Sequence, residues 1–374
     1  MSLNSGIVTY TPAGNYNGPA SFEYQVCDNG NTNGALDSKC ATGTVDVTVN
    51  PVNDTPTANS QSVSTNGNTP LSITLTGSDL ETPAANLIFQ VTSGPSHGSL
   101  SGSGASLTYT PALNYSGPDS FQFTVKDSGD GSSAALTSTA AVVSITVNDT
   151  INPIITAPSD ISMGTGAGAT SCGLVISDAV LGSATATDNS GSVSISRTGV
   201  PAGNFFPVGT TIITYTATDG SGNQSSDTQT VTVTDTTAPT LTLNGNQISL
   251  WPPNHNYQTV SVTDLVAGAS DNCDPTVNLS KVVIAKVTSD EADNGPGSGN
   301  TTNDIVIGAD CKTVQLRAER ESGGDGRVYT VWFKVSDSAG NTTMKSATVA
   351  VPLNGNHAPA GDSGVKYTVN GSCP

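Results

Sequence analysis

The segment VTYTPAGNYNGPASFEYQVCDNG, which starts at Val8, returns as LTYTPALNYSGPDSFQFTVKDSG from Leu107, about 100 residues further on. Self-similarity at such a spacing marks a tandem array in which each copy is a folding unit of its own. Both copies read alike: an alternating strand ending at Tyr10 or Tyr109, a Pro, Asn, Tyr and Gly turn, a second alternating strand, then an Asp-Gly turn. Alternation of period two places apolar side chains on one face of a sheet, and the turn residues relieve the backbone between strands. A Val-rich strand, VDVTVN or VVSITVN, closes each copy.

The closing strands run into junctions of one type: NPVNDTPTA around Asp54, VNDTINPII around Asp149 and VTDTTAPTL around Asp235. Three junctions divide the chain into a first repeat at 1–50, a second at 51–149, a third at 150–237 and a fourth at 238–352, followed by a tail at 353–374. The first is too short for a sandwich. It matches only the C-terminal half of the second, so its strands are expected to lack partners unless another segment or another chain supplies them.

Only 11% of residues are charged and 5% aromatic, while 40 Gly and 21 Pro punctuate a chain rich in Thr, Ser, Val and Asn. Helical periodicity is nearly absent, so the fold class is all-β: tandem immunoglobulin-like or cadherin-like β-sandwich domains in an extended array. A formal net charge of −18 repels nucleic acid and anionic lipid and attracts divalent cations. No apolar run reaches the roughly 20 residues of a membrane span. The opening MSLNSG lacks the basic and apolar regions of a signal peptide and reads as a cut.

Two pairs of the six cysteines fall close in sequence, Cys27 with Cys40 and Cys273 with Cys311, and none forms a zinc pattern. Local pairing predicts two disulfides and an oxidising compartment, secreted or at a cell surface. Cys172 and Cys373 are left without assigned partners.

The second repeat resembles the cadherin-like bacterial immunoglobulin-type repeats of large secreted adhesins, through NDTP at Asn53, SDLE at Ser78, SGPSHGSL at Ser93 and the YTP, NYSG and FTVKDSGDG segments that follow. The third resembles a hyalin-type repeat through ATATDNSG, FPVGTTIITYTATDGSGNQSS and VTVTDTTAP. Ser190 stands where that family commonly has DNC, so Cys172 is expected to lack a partner in its own repeat. The fourth resembles a further bacterial repeat type that carries LWPPNH, DNCDP, LRAER, GRVYT and DSAGN. All three resemblances imply β-sandwich modules of secreted proteins.

Cadherin-like repeats hold calcium where linker and domain carboxylates converge, and the resemblance implies that Asp54, Asp79, Glu81 and Asp127 would do so here. Calcium takes six to eight oxygens, which carboxylates and carbonyls can supply. The same acids also suit turn caps that need no metal. Asp149 and Asp235 mark weaker candidates. In the fourth repeat the loop SDEADNGPGSGNTTND gathers Asp290, Glu291, Asp293 and Asp304, while Lys312, Arg317, Arg320, Arg327 and Lys334 lie on nearby strands. An acidic loop pinned by arginines is favoured there over a metal.

Catalysis finds little support, and the chain is read as no enzyme. His97, His255 and His357 fall in three segments without a hydrolase or zinc motif, and GDSG at Gly361 is ordinary turn composition. Trp251 and Trp332 are placed in the core rather than on a sugar. The function expected is a non-catalytic extracellular stalk or adhesion segment of a bacterial surface protein, stiffened by calcium at its junctions. Its partner would be a protein or glycan on a cell or matrix surface, and the first repeat could self-associate through its strands. The alternative is a carbohydrate- or protein-binding module accessory to a secreted hydrolase.

Overall fold

A computed structural model describes residues 1–4, 6–295, 301–355 and 360–373. It divides into two compact units, one of residues 1–154 with 187–194 and 218–225, the other of 155–186, 195–217 and 226–374. Nearly every regular element is a strand, as the alternation requires.

In the first unit, Gly18–Cys27 pairs antiparallel with Cys40–Val49, from Gly18 opposite Val49 to Cys27 opposite Cys40. A disulfide joins Cys27 to Cys40 across the end of this ladder. The second repeat shows what the first lacks. Its matching strands, Gly117–Lys126 and Ala141–Asn148, are flanked antiparallel by Ile88–Ser93 and parallel by Gln61–Asn66. A second sheet of Leu71–Thr74, Gly98–Ser103 and Ser106–Pro111 completes that repeat. Phe123 and Val125 are 0% exposed in its core, whereas Tyr24 and Val26, at the same places in the first repeat, are 46% and 61% exposed. Among the described residues, then, the first repeat has one long strand pair of a sandwich with an apolar face uncovered, besides two short hairpins, Ser2–Asn4 with Ile7–Thr9 and Asn31–Thr32 with Ala35–Leu36.

Polar groups inside the second repeat are paired. The Tyr109 hydroxyl donates to Asp119 Oδ2 at 2.8 Å, and the same carboxylate accepts the Ser96 and His97 amides at 2.9 and 3.0 Å. This fixes the SGPSHG turn against the sheet. Gly98 is required there, because a Cβ would run into the Tyr109 ring.

In the second unit, Ile161–Gly164 runs parallel to residues 231–234, and Gly173–Val175 pairs with Phe205–Pro207. Leu181, Phe206, Ile213, Tyr215, Val231 and Val233 form their core. The fourth repeat builds a five-stranded sheet in the order Ile248–Ser249, Thr342–Val351, Arg327–Ser336, Val283–Ser289, Tyr367–Asn370. A three-stranded sheet of Tyr257–Ser261, Thr313–Arg317 and Ile305–Ile307 belongs to the same repeat, whose core includes Tyr329, Val331 and Phe333.

Within the segment read as a tail, Tyr367–Asn370 adds an antiparallel edge strand to Val283–Ser289, with Asn370 opposite Lys286 and Tyr367 opposite Ser289. One expectation is corrected. Cys273 does not pair with Cys311; the bonds are Cys172 to Cys273 and Cys311 to Cys373. The reason is tertiary. The loop bearing Cys273 is tied to the third repeat, where Asn272 Nδ2 donates to the Ser171 carbonyl at 3.0 Å. Cys311 is buried at a left-handed turn beside Gly371, which brings the last strand and not Cys273 to its sulfur.

Candidate cation sites at the repeat junctions

The four carboxylates proposed for the first junction are largely occupied by backbone. Asp127 is 1% exposed; its Oδ1 accepts Gly129 and Leu136 N–H at 2.8 and 2.9 Å, and Oδ2 accepts Asn53 Nδ2 at 3.1 Å. Burial pushes this carboxyl up, but those donors more than offset it and leave it below the usual range. Asp79 Oδ2 closes a turn on Glu81 and Thr82 N–H, and Glu81 Oε2 accepts the Asp54 amide at 3.2 Å. No three of these acids bring carboxylate oxygens within 4.8 Å of one another. Glu81 does line a cavity of about 570 Å³ with Asn15, Asn17 and Asp130.

Three-carboxylate convergence occurs instead at the two later junctions. Asp149, Asp188 and Asp219, all in the first unit, bring oxygens within 4.8 Å of one another; so do Asp235, Asp271 and Asp337, all in the second. The two groups are built alike. Each takes one acid from the linker, one from a DN turn and one from the DGSGN or DSAGN turn between the last two strands of its repeat.

The third acid is positioned by an asparagine four residues on. Asn223 donates its amide N–H to Asp219 Oδ1 and its side chain to Asp219 Oδ2, both at 2.8 Å, and reaches the Asp149 carbonyl at 3.4 Å. Asn341 makes the same three contacts, at 2.8 and 2.8 Å to Asp337 and 3.2 Å to the Asp235 carbonyl. Behind each linker a hydroxyl holds the following proline's carbonyl, Ser225 to Pro153 and Thr343 to Pro239.

The middle acid carries the free valence. Asp188 Oδ2 accepts the Ser190 N–H and hydroxyl, and Asp271 Oδ1 accepts the Cys273 and Asp274 N–H groups. Asp188 Oδ1 and Asp271 Oδ2 are buried without a hydrogen-bond partner. Two carboxylates 4.8 Å apart repel by about 3–4 kcal/mol at an effective dielectric of 20. Such oxygens fit a hard cation with six to eight ligands, a linker carbonyl lying close by. These acids stand up to about 100 residues apart in sequence, so the signal for them was the recurrence of DN and DxxGN, not their spacing.

The acidic loop of the fourth repeat is pinned by arginine. Arg327 is 0% exposed; Nε donates to Glu291 Oε2 at 2.9 Å, and Nη1 donates to Asp304 Oδ2 and the Tyr329 hydroxyl at 2.5 and 3.0 Å. Arg317 Nε lies 3.4 Å from Asp304 Oδ1, and Glu319 Oε2 bonds His255 Nδ1 at 3.1 Å and the Thr301 hydroxyl at 2.5 Å. Burial, helped by the hydrogen bond that protonated Asp304 donates to Glu319 and opposed by Arg327, pushes Asp304 up to about 7. Asp290 caps Val328 and Ser363 N–H, which makes GDSG a turn on this loop. Residues 296–300 of the loop and His357 lie outside the described residues. Trp332 lies under Lys286 Nζ at 4.7 Å, and Trp251 is 40% exposed rather than in the core.

A family model described as a bacterial Ig domain matches residues 1–48 and 53–146, and an HYR domain model matches 148–233. The chain carries tandem immunoglobulin-like repeats. Hyalin of Strongylocentrotus purpuratus is 32% identical over 206 residues, 51% of this chain and 16% of that protein. Hyalin of Lytechinus variegatus is 34% identical over 106 residues, 28% of this chain and 19% of that one. This chain thus spans under a fifth of these relatives. The protocadherin gammaB4 extracellular domain aligns over 89% of this chain and 54% of its own, at 15% identity and a TM-score of 0.41. The HYR match ends just before Asp235 and so takes in the whole Asp149, Asp188 and Asp219 group. No helix among the described residues is long and apolar enough to cross a membrane.

Proposed function

We propose that the chain is a non-catalytic extracellular spacer and adhesion segment of a bacterial surface protein, whose later junctions are stiffened by calcium. The observation that carries this reading is the repetition of one junction device, Asp149, Asp188 and Asp219 with Asn223, then Asp235, Asp271 and Asp337 with Asn341. Catalysis would not require the same acids at successive boundaries. Linker ordering does, because a cation bound by a linker acid and two domain turns removes the linker's freedom. The immunoglobulin-like matches and the hyalin likeness support a surface protein built from repeats. Asp188 and Asp271 would supply the oxygens that lack a protein donor, and the other acids would complete the shell.

Calcium titration followed by calorimetry and by X-ray scattering tests this, with magnesium as control. Two binding events, one lost in Asp188→Asn and the other in Asp271→Asn, are expected. Identical heat and maximum dimension in chelator and in millimolar calcium would leave the acids as turn formers only.

A further inference from the structure

We infer that the Cys172 to Cys273 disulfide makes the third and fourth repeats one mechanical element, by carrying load across their junction outside the peptide linker. The inference rests on the spacer reading, since load matters only in a chain under tension. The bond joins residues 101 apart in sequence, one in the HYR-matched repeat and one in the next, both within the second unit.

The topology determines what the bond shields. Tension entering at the linker after Asp149 runs through Ile154–Thr156 and Ile161–Gly164 to Cys172, crosses to Cys273, and continues into Val283–Ser289. Everything from Gly173 to Asn272 hangs on this path as a closed loop. That loop holds the strands Gly209–Asp219 and Gln224–Thr234, the core residues Phe206, Ile213, Tyr215 and Val231, and the linker acid Asp235. Before the disulfide stops further extension, the load falls on the pairing of Ile154–Thr156 with Thr185–Thr187 and on the parallel ladder of Ile161–Gly164 with residues 231–234. The shielded loop therefore contains most of the third repeat's sheet and the whole peptide link to the fourth.

The preceding junction lacks this bond and shows by contrast what it adds. Asn189 Nδ2 donates to the Ser116 hydroxyl at 3.1 Å, as Asn272 donates to the Ser171 carbonyl, but the next residue is Ser190 where the later junction has Cys273. The second repeat is joined to the third by the peptide chain and noncovalent contacts alone.

Single-molecule stretching of the full chain, held at its two ends under non-reducing conditions, tests the clamp. At about 3.3–3.6 Å per extended residue, the oxidised protein should withhold roughly 330–360 Å of contour that the Cys172→Ser with Cys273→Ser variant releases. The third repeat should give a release of roughly 80 Å in the oxidised protein and roughly 300 Å in the variant. Equal contour in the two, or a release of roughly 300 Å from the oxidised third repeat, would overturn the inference. Should the variant not fold, peptide mapping of the non-reduced protein decides: a Cys172 to Cys273 cross-linked peptide supports the clamp, and any other pairing ends it. The calcium titration that tests the spacer reading leaves these lengths unchanged, so the two can fail separately.

Discussion

Asn341 grips Asp337 with both its main-chain and side-chain N–H groups, at 2.8 Å each, and spends the remaining side-chain reach on the Asp235 carbonyl. One asparagine thus holds a buried carboxylate and the linker in fixed relation. Replacing it by alanine leaves Asp337 with fewer donors, and leaving a buried polar group short of partners costs about 1–3 kcal/mol. Asn341→Ala should lower the stability of the second unit by that amount in urea denaturation. An unchanged midpoint would show that water replaces the amide without loss.

Calcium should stabilise wild-type protein by about 2.7 kcal/mol when free calcium is about 100 times the dissociation constant. In Asp188→Asn with Asp271→Asn that gain should vanish while stability in chelator rises, since each substitution removes one charge from a crowded group. Thermal melts in both conditions read the two effects. A calcium gain that survives the double substitution would move the site elsewhere.

The stability of the fourth repeat should fall as pH rises from about 4 toward about 7. Three carboxylates, Glu291, Asp304 and Glu319, face two guanidiniums, Arg327 and Arg317, with His255 Nδ1 against Glu319 Oε2, so one proton on the carboxylates offsets their excess over the guanidiniums. Asp304 is pushed up to about 7 in the fold, against roughly 3.9 when unfolded. The folded state therefore binds more protons in that interval, and stability declines with pH by at most about 1.4 kcal/mol per unit. Above pH 7 the term is constant. Chemical denaturation from pH 4 to 8 should show the slope in wild type and a flatter line in Asp304→Asn; matching slopes would refute the assignment.

The first repeat should be the least protected part of the chain in hydrogen exchange, because its two long strands have no flanking strand among the described residues and Tyr24 and Val26 are exposed. Reducing Cys27 to Cys40 should speed exchange there further. In the chain-entropy model so short a loop stabilises by about 3 kcal/mol. Protection equal to that of the second repeat in a proven monomer would mean that the face is covered.

Much of this fold was legible from local pattern. The strand Gly117–Lys126 follows its apolar alternation residue by residue, and the tandem arrangement was visible because the segment from Val8 returns from Leu107. The arginine-pinned loop was also readable, since unlike charges were scarce enough to name. Disulfide pairing was not. Cys273 lies nearer in sequence to Cys311 than to Cys172, and only the packing of a turn on the preceding repeat reverses that order. The cation groups were hidden for the same reason: Asp235, Asp271 and Asp337 are local turn formers until three segments meet.

The last strand, Tyr367–Asn370, also sets an order of events during synthesis. Val283–Ser289 reaches its second neighbour only when residues 367–370 have left the ribosome, and Cys311 then waits for Cys373. Until that point the nascent fourth repeat presents an open sheet edge, a template for pairing with any neighbouring chain. The sheet of the fourth repeat therefore closes only after all its other strands have emerged.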